Sequence, residues 1–125
     1  MKKILLVDDL DIDVMLTRLA LDGYASGYQV TVASDGEEAL AQLQASEFDL
    51  LLLDLKMPRV DGFELLERMQ ALAQGQVPAI ILSGSALAAD RTRASGLGVI
   101  DYVQKAVDYS GFKRDLRAAL DKHGF

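Results

Sequence analysis

Leu50, Leu51, Leu52 and Leu53 follow one another and stop at Asp54. Successive side chains of a strand point to opposite faces. Four apolar residues in a row therefore fit a strand covered on both sides, as in a parallel sheet between helices. The rest of the chain keeps that plan. Short apolar runs at Lys3–Val7, Tyr28–Ala33, Phe48–Leu53, Ala79–Ser83 and Val99–Val103 alternate with segments of helical spacing. Ile12, Met15, Leu16, Leu19 and Ala20 form the first such pattern, and Ala39, Leu40 and Leu43 the second, with Ser34 or Asp35 as its cap. Leu65, Leu66, Met69, Leu72 and Ala73 form the third, entered at Gly62. Ala86–Ser95 is helical by propensity but has a weak apolar stripe, the mark of marginal packing or of an exposed binding face. Phe112, Leu116, Ala119 and Leu120 form the last, with Ser110 as its expected cap. Five strand–helix units predict one α/β domain, a doubly wound parallel sheet flanked by five helices.

The bulk numbers narrow the function. A chain of 125 residues, half of them apolar, can bury a core as one domain. Its net charge of −6 disfavours direct binding to nucleic acid. The absence of cysteine excludes disulfides, zinc–thiolate centres and thiol chemistry. The start MKKILLVDD is too short in apolar residues for a signal peptide and reads as a first strand. No run approaches the roughly 18 apolar residues of a membrane span. The chain is expected to be cytoplasmic.

In sheets of this class the functional crevice lies at the carboxyl ends of the strands. Asp8 and Asp9 follow the first strand, Asp54 the third, Ser83 ends the fourth, and Lys105 follows the fifth. Two like charges about 4 Å apart repel by roughly 4 kcal/mol at an effective dielectric near 20. Three acids in one crevice thus call for a cation, and one lysine cannot neutralise them all. A hard divalent ion suits an all-oxygen set, and Mg²⁺ prefers a few carboxylates with water and a phosphate oxygen. Asp54, alone at the tip of the most apolar strand, is placed to attack phosphorus and form an aspartyl phosphate.

ILLVDD at 4–9, LLLLDLKMPRVDGFELL at 50–66, AIILSG at 79–84 and DYVQK at 101–105 occur in that order. Together they resemble the receiver domains of two-component response regulators, over essentially the whole chain. The resemblance implies a sheet of strand order 2-1-3-4-5, an order already associated with a protein of this fold. It implies one receiver domain over residues 1–125 with no output domain, and the start at Met1 favours a stand-alone protein. By the resemblance, Asp54 accepts a phosphoryl group from a phosphohistidine on a sensor histidine kinase or histidine phosphotransfer protein. Asp9 ligates Mg²⁺ directly, Asp8 acts through water, and the Lys56 backbone carbonyl is a further ligand. Lys105 and the Ser83 hydroxyl hold phosphoryl oxygens. Tyr102 takes the switch position, turning inward as Ser83 moves and signalling to a face built from the 86–95 segment, the fifth strand and the last helix. That face is expected to bind a downstream protein target. The protein is expected to catalyse only its own phosphorylation and dephosphorylation.

The chain departs from the family pattern at three places. Ala106 follows Lys105 where the family has a proline joined by a cis bond. A cis bond without proline costs about 2.5–4 kcal/mol, so a trans bond is expected. Leu10 follows the acidic pair where many members carry another acid, and Ser83 stands in place of threonine. Plainer readings exist for single residues. Asp8 and Asp9 could cap the first helix, Asp54 could be a solvated strand end, Lys105 a surface lysine and Tyr102 a half-packed strand residue. Met57-Pro58 makes a stiff turn, and His123, in a charged helix end, reads as solvated. Among competing functions, a flavodoxin-type cofactor domain would need a phosphate loop where this chain has DDLD. The dinucleotide fingerprint is missing. A phosphohydrolase would carry an acid at position 56, which is Lys56. The remaining alternative is a degenerate receiver that binds proteins without phosphorylation.

Overall fold

The leucine run forms the middle strand of the sheet. A computed structural model describes residues 2–24, 27–54, 62–70, 77–83, 98–105 and 108–125. The strands are β1 (Lys2–Val7), β2 (Tyr28–Ala33), β3 (Leu50–Asp54), β4 (Ala79–Ser83) and β5 (Val99–Gln104). They pair in parallel in the order β2-β1-β3-β4-β5, as expected. Among the described residues the helices are α1 (Asp11–Leu21), α2 (Gly36–Ala45), α3 (Gly62–Gln70) and α4 (Tyr109–Lys122). The helix expected over 86–95 lies outside the described residues, as do Leu72 and Ala73.

Period-two alternation divides the core into two layers. Leu50 and Leu52 join Ile4, Leu6, Ile80 and Leu82 under α1 and α4, where Ala20, Leu21, Phe112, Leu116 and Leu120 cover them. Leu51 and Leu53 join Leu5, Val7 and Ile81 under α2 and α3, where Ala39, Leu43, Leu65, Leu66 and Met69 cover them. All four leucines are fully buried. Each contributes roughly 1.5–3 kcal/mol by burial, which explains why no position in the run is polar.

Register carries the strand tips into alignment. Val7 lies opposite Leu53, Asp54 opposite Leu82, and Ser83 opposite Gln104. The β4–β5 pairing is irregular: Ala79 faces Val99, but Ile80 faces Asp101. One residue of β5 is thus passed over, a bulge.

Local chemistry fixes the helix ends, with two corrections to the sequence reading. Asp35 caps α2, its carboxylate accepting from the Glu38 backbone N–H at 2.8 Å, while Glu38 reaches back to the Ser34 hydroxyl at 2.8 Å. Asp108, not Ser110, caps α4, accepting from the Gly111 N–H at 2.6 Å. Ser110 falls inside the first turn because the helix starts at Tyr109. The second correction concerns α1. Ile12, Met15 and Leu19 belong to the apolar pattern that marked this helix, yet they are about half exposed. Thr17, Ala20 and Leu21 are the residues α1 buries. Its periodicity contains two apolar stripes, and the one carrying small Ala20 lies inward.

The helix pair α1–α4 is tied at its edge. Arg117 donates to the Ala20 carbonyl at 2.9 Å and the Asp22 carbonyl at 3.3 Å, and its guanidinium lies over the Tyr24 ring. These contacts satisfy carbonyls left open at the end of α1. His123, expected in solvent, is only partly exposed and sits 3.0 Å from the Asp101 carboxylate. The return of α4 along β5 brings the two together.

Candidate functional site

Asp8 leaves β1 as Asp54 ends β3, and the register sets the two side by side. The Asp8 backbone N–H donates to the Ala33 carbonyl at 3.1 Å. Its carboxylate accepts from the Leu10 N–H at 3.1 Å. That bond spans two residues and holds the carboxylate in place. It is not a helix cap, for α1 has Leu10 at its cap position and no side-chain cap bond. Asp8 and Asp54 are both buried. Carboxylate oxygens of Asp8, Asp9 and Asp54 all lie within 4.8 Å of one another.

Lys105 extends into this group from the end of β5. Its Nζ is 3.0 Å from Asp8 Oδ2 and 3.6 Å from Asp54 Oδ2. The shortest contact, 2.8 Å, is to Asp13 Oδ2. Asp13 was missed in the sequence reading, which followed the acids at the strand tip and treated α1 as an apolar pattern. A signal was available. Helical side chains tilt toward the N-terminus, so an acid in the first turn after a strand tip points back over that tip. The helix dipole also favours an acid there.

Burial works against charge on Lys105, but the hydrogen bond to Asp13 and the charges of Asp54 and Asp8 outweigh it and raise the ammonium's pKa above its ordinary value. The lysine is therefore fully charged at neutral pH. Three carboxylates, of Asp8, Asp13 and Asp54, converge on it, with Asp9 close to two of them, and one positive charge cannot balance four negative ones. The donor set, three close carboxylates of which two are buried, fits a hard divalent cation such as Mg²⁺ or Mn²⁺. Asp8, Asp9 and Asp54 are the residues that would hold it.

Ser83 ends β4 at the same rim, opposite Gln104. Its side chain, Lys56, Pro58, Gly84 and the expected trans bond at Ala106 lie outside what is described. Tyr102 lies in β5, half-buried and packed against the core layer under α2 and α3. Leu10, which replaces an acid beside the pair, is exposed.

With this geometry in view, the chain was compared with known proteins. A family model described as "Response regulator receiver domain" matches residues 4–119. A "Probable transcriptional regulator ycf27" from Cyanophora paradoxa is 36% identical over 122 residues, covering 95% of this chain and 48% of the relative. The chain thus spans about half the length of that relative, and less of several other curated regulators it matches. Among solved structures, the phosphorylated cyanobacterial phytochrome response regulator RcpA is 31% identical with a TM-score of 0.87, covering 96% of this chain and 91% of its own. The Mn²⁺-bound form of the response regulator Rcp1 is 26% identical, also with a TM-score of 0.87, covering 97% of this chain and 93% of its own.

Proposed function

Because this chain belongs to the response regulator receiver domain family, we propose that it is a phosphorylatable switch that accepts a phosphoryl group on Asp54 in a Mg²⁺-dependent reaction and then binds a protein target. The observation that carries this reading is the meeting of Asp8, Asp9, Asp54 and Lys105 at one sheet edge. The donor is a phosphohistidine on a sensor histidine kinase or phosphotransfer protein. An Asp54 carboxylate oxygen forms a bond to phosphorus as the phosphorus–nitrogen bond breaks, and the electron pair of that bond stays on the imidazole. β3 fixes Asp54 between buried neighbours, so little orientation is lost in reaching an in-line geometry. Lys105, already 3.6 Å from Asp54, offsets charge on the phosphoryl oxygens. Mg²⁺, when bound by Asp8, Asp9 and Asp54, supplies further positive charge to that group. The chemistry is confined to the protein's own aspartate. The likeness to RcpA, itself seen phosphorylated, and to Rcp1, itself seen with Mn²⁺, supports both halves of the reading.

The acyl phosphate then biases two conformations. In this reading Ser83 and Tyr102 carry the change to a face that includes β5 and α4, and the protein works in the cytoplasm. No described helix is long and apolar enough to cross a membrane, which suits that setting.

The test is mass measurement after incubation with Mg²⁺ and a small acyl-phosphate donor. One phosphoryl group should be gained by the native protein and none by Asp54→Asn. Equal gain in both would remove Asp54 from the role. Tyr102→Ala should weaken target binding and leave phosphorylation intact.

A further inference from the structure

Lys105 is held in the crevice by Asp13, which is neither the phosphoryl acceptor nor a ligand to the cation. The lysine Nζ stands 2.8 Å from Asp13 Oδ2, 3.0 Å from Asp8 Oδ2 and 3.6 Å from Asp54 Oδ2. The first two contacts are hydrogen bonds, and the third lies beyond hydrogen-bond reach. The ammonium is thus drawn toward the start of α1 and not toward the acceptor. Burial works against its charge, and the bond to Asp13 is the largest effect opposing that.

Asp13 also differs from its neighbours in what else can claim it. Asp8, Asp9 and Asp54 bring carboxylate oxygens within 4.8 Å of one another, and Asp13 is not among them. A cation seated there takes up charge from Asp8 and Asp54, both of which face Lys105. Asp13 keeps its whole charge for the lysine. Loading the crevice with a cation therefore leaves Asp13 as the main partner of the ammonium.

We propose that Asp13 is a positioning residue that holds Lys105 in reserve, and that phosphorylation of Asp54 exchanges the Lys105–Asp13 bond for bonds to the phosphoryl oxygens. This inference rests on the phosphoryl reading of Asp54 and adds a control on how firmly the phosphorylated state is held. Charge-assisted bonds to phosphoryl oxygens form at about 2.7–2.9 Å. The ammonium reaches them by moving toward Asp54 and away from Asp13. Its departure does not strand Asp13, whose side chain is 23% exposed. That carboxylate borders a cavity of about 90 Å³, lined also by Thr17, Asp108 and Tyr109, with room for water to replace the ammonium. The strength of the bond given up is subtracted from the hold on the phosphoryl group.

Beryllofluoride, which adds to a carboxylate in the shape of a phosphoryl group, is the probe, at saturating Mg²⁺. Nuclear magnetic resonance follows the Lys105 Nζ signal and gives the midpoint of binding. In the native protein the signal should move on binding. Asp13→Asn should displace it in the free protein. Once beryllofluoride is bound, the native protein and Asp13→Asn should give the same Nζ signal, because the lysine has left position 13. Asp13→Asn weakens the competing bond and should lower the midpoint about three- to tenfold. Lys105→Met should raise the midpoint, and adding Asp13→Asn to it should change that value by less than about twofold. Circular dichroism confirms that each variant is folded. An equal effect of Asp13→Asn with and without the lysine overturns the proposal, for Asp13 would then act only by repelling the anion. So does a midpoint that Asp13→Asn leaves unchanged, or a difference in the Nζ signal that persists at saturation. Failure of the phosphoryl reading looks different: the native protein would bind beryllofluoride no better than Asp54→Asn, which overturns both.

Discussion

Lys105→Met should destabilise the protein, and Mg²⁺ should restore much of the loss. Methionine keeps the aliphatic stem and removes the charge. The ammonium stands 2.8, 3.0 and 3.6 Å from carboxylate oxygens of Asp13, Asp8 and Asp54. Each attraction is worth about 5 kcal/mol at an effective dielectric near 20. Much of that sum is spent in taking the ammonium and the acids out of water, since the Lys105 side chain is only 20% exposed. Removing one partner of a buried pair typically costs about 3–5 kcal/mol, because it strands the other charge. Allowing for the partial exposure of Lys105 and Asp13, the expected loss is about 2–3 kcal/mol in chelator. The raised pKa makes the contribution whole at neutral pH, and it fades only as the pH climbs through that raised value. Urea unfolding followed by circular dichroism reads the difference directly. Saturating Mg²⁺ should stabilise the variant more than the native protein, because the ion no longer shares the acids with an ammonium. A loss below about 0.5 kcal/mol in chelator, or a deficit that Mg²⁺ leaves unchanged, would refute the claim that Lys105 offsets the acids.

Other changes probe other links. Leu52→Ala, at a fully buried position, should cost about 2.7–5 kcal/mol in the same assay. A cost under 1 kcal/mol would mean that the two layers collapse around the gap. Asp108→Ala removes the α4 cap and should cost about 1 kcal/mol, whereas Ser110→Ala should cost far less, as compared by urea midpoints. Asp13→Asn lightens the negative charge around Lys105 while keeping its shape. It should change stability in chelator by less than about 1 kcal/mol, and it should reduce the cost of Lys105→Met in a double-mutant cycle.

β1, β3 and β4 were legible because both faces of the sheet are covered there, so burial writes itself as unbroken apolar runs, while the edge strands β2 and β5 showed through their β-branched and aromatic residues. Asp8, Asp54 and Lys105 were legible for a related reason, since each is the first charged residue after a strand, and Asp9 stands next to Asp8. α1 was misjudged because its apolar residues surround most of the helix, and spacing alone does not rank two stripes. The α4 cap was misplaced because Asp108 and Ser110 are both good capping residues, and only the start at Tyr109 decides between them. Asp13 escaped notice because its role comes from the direction in which a helix enters the crevice, a tertiary fact.

The irregularity in β5 bears on the chemistry. Val99 packs toward α2 and α3, yet Val103 packs toward α1 and α4. Four residues apart, the two would share a side in an unbroken strand, and Lys105 would then fall on the side of Val99, away from Asp13. The skipped pairing between Ala79 and Ile80 inverts the parity of everything beyond it. Closing the bulge without removing a residue, so that Ile80 paired with Ile100, would carry the ammonium to the opposite surface of the sheet, whereas deleting the skipped Ile100 would leave every later pairing as it is. The charge balance of the acidic crevice is thus set by one skipped pairing, five residues upstream of the lysine it aims.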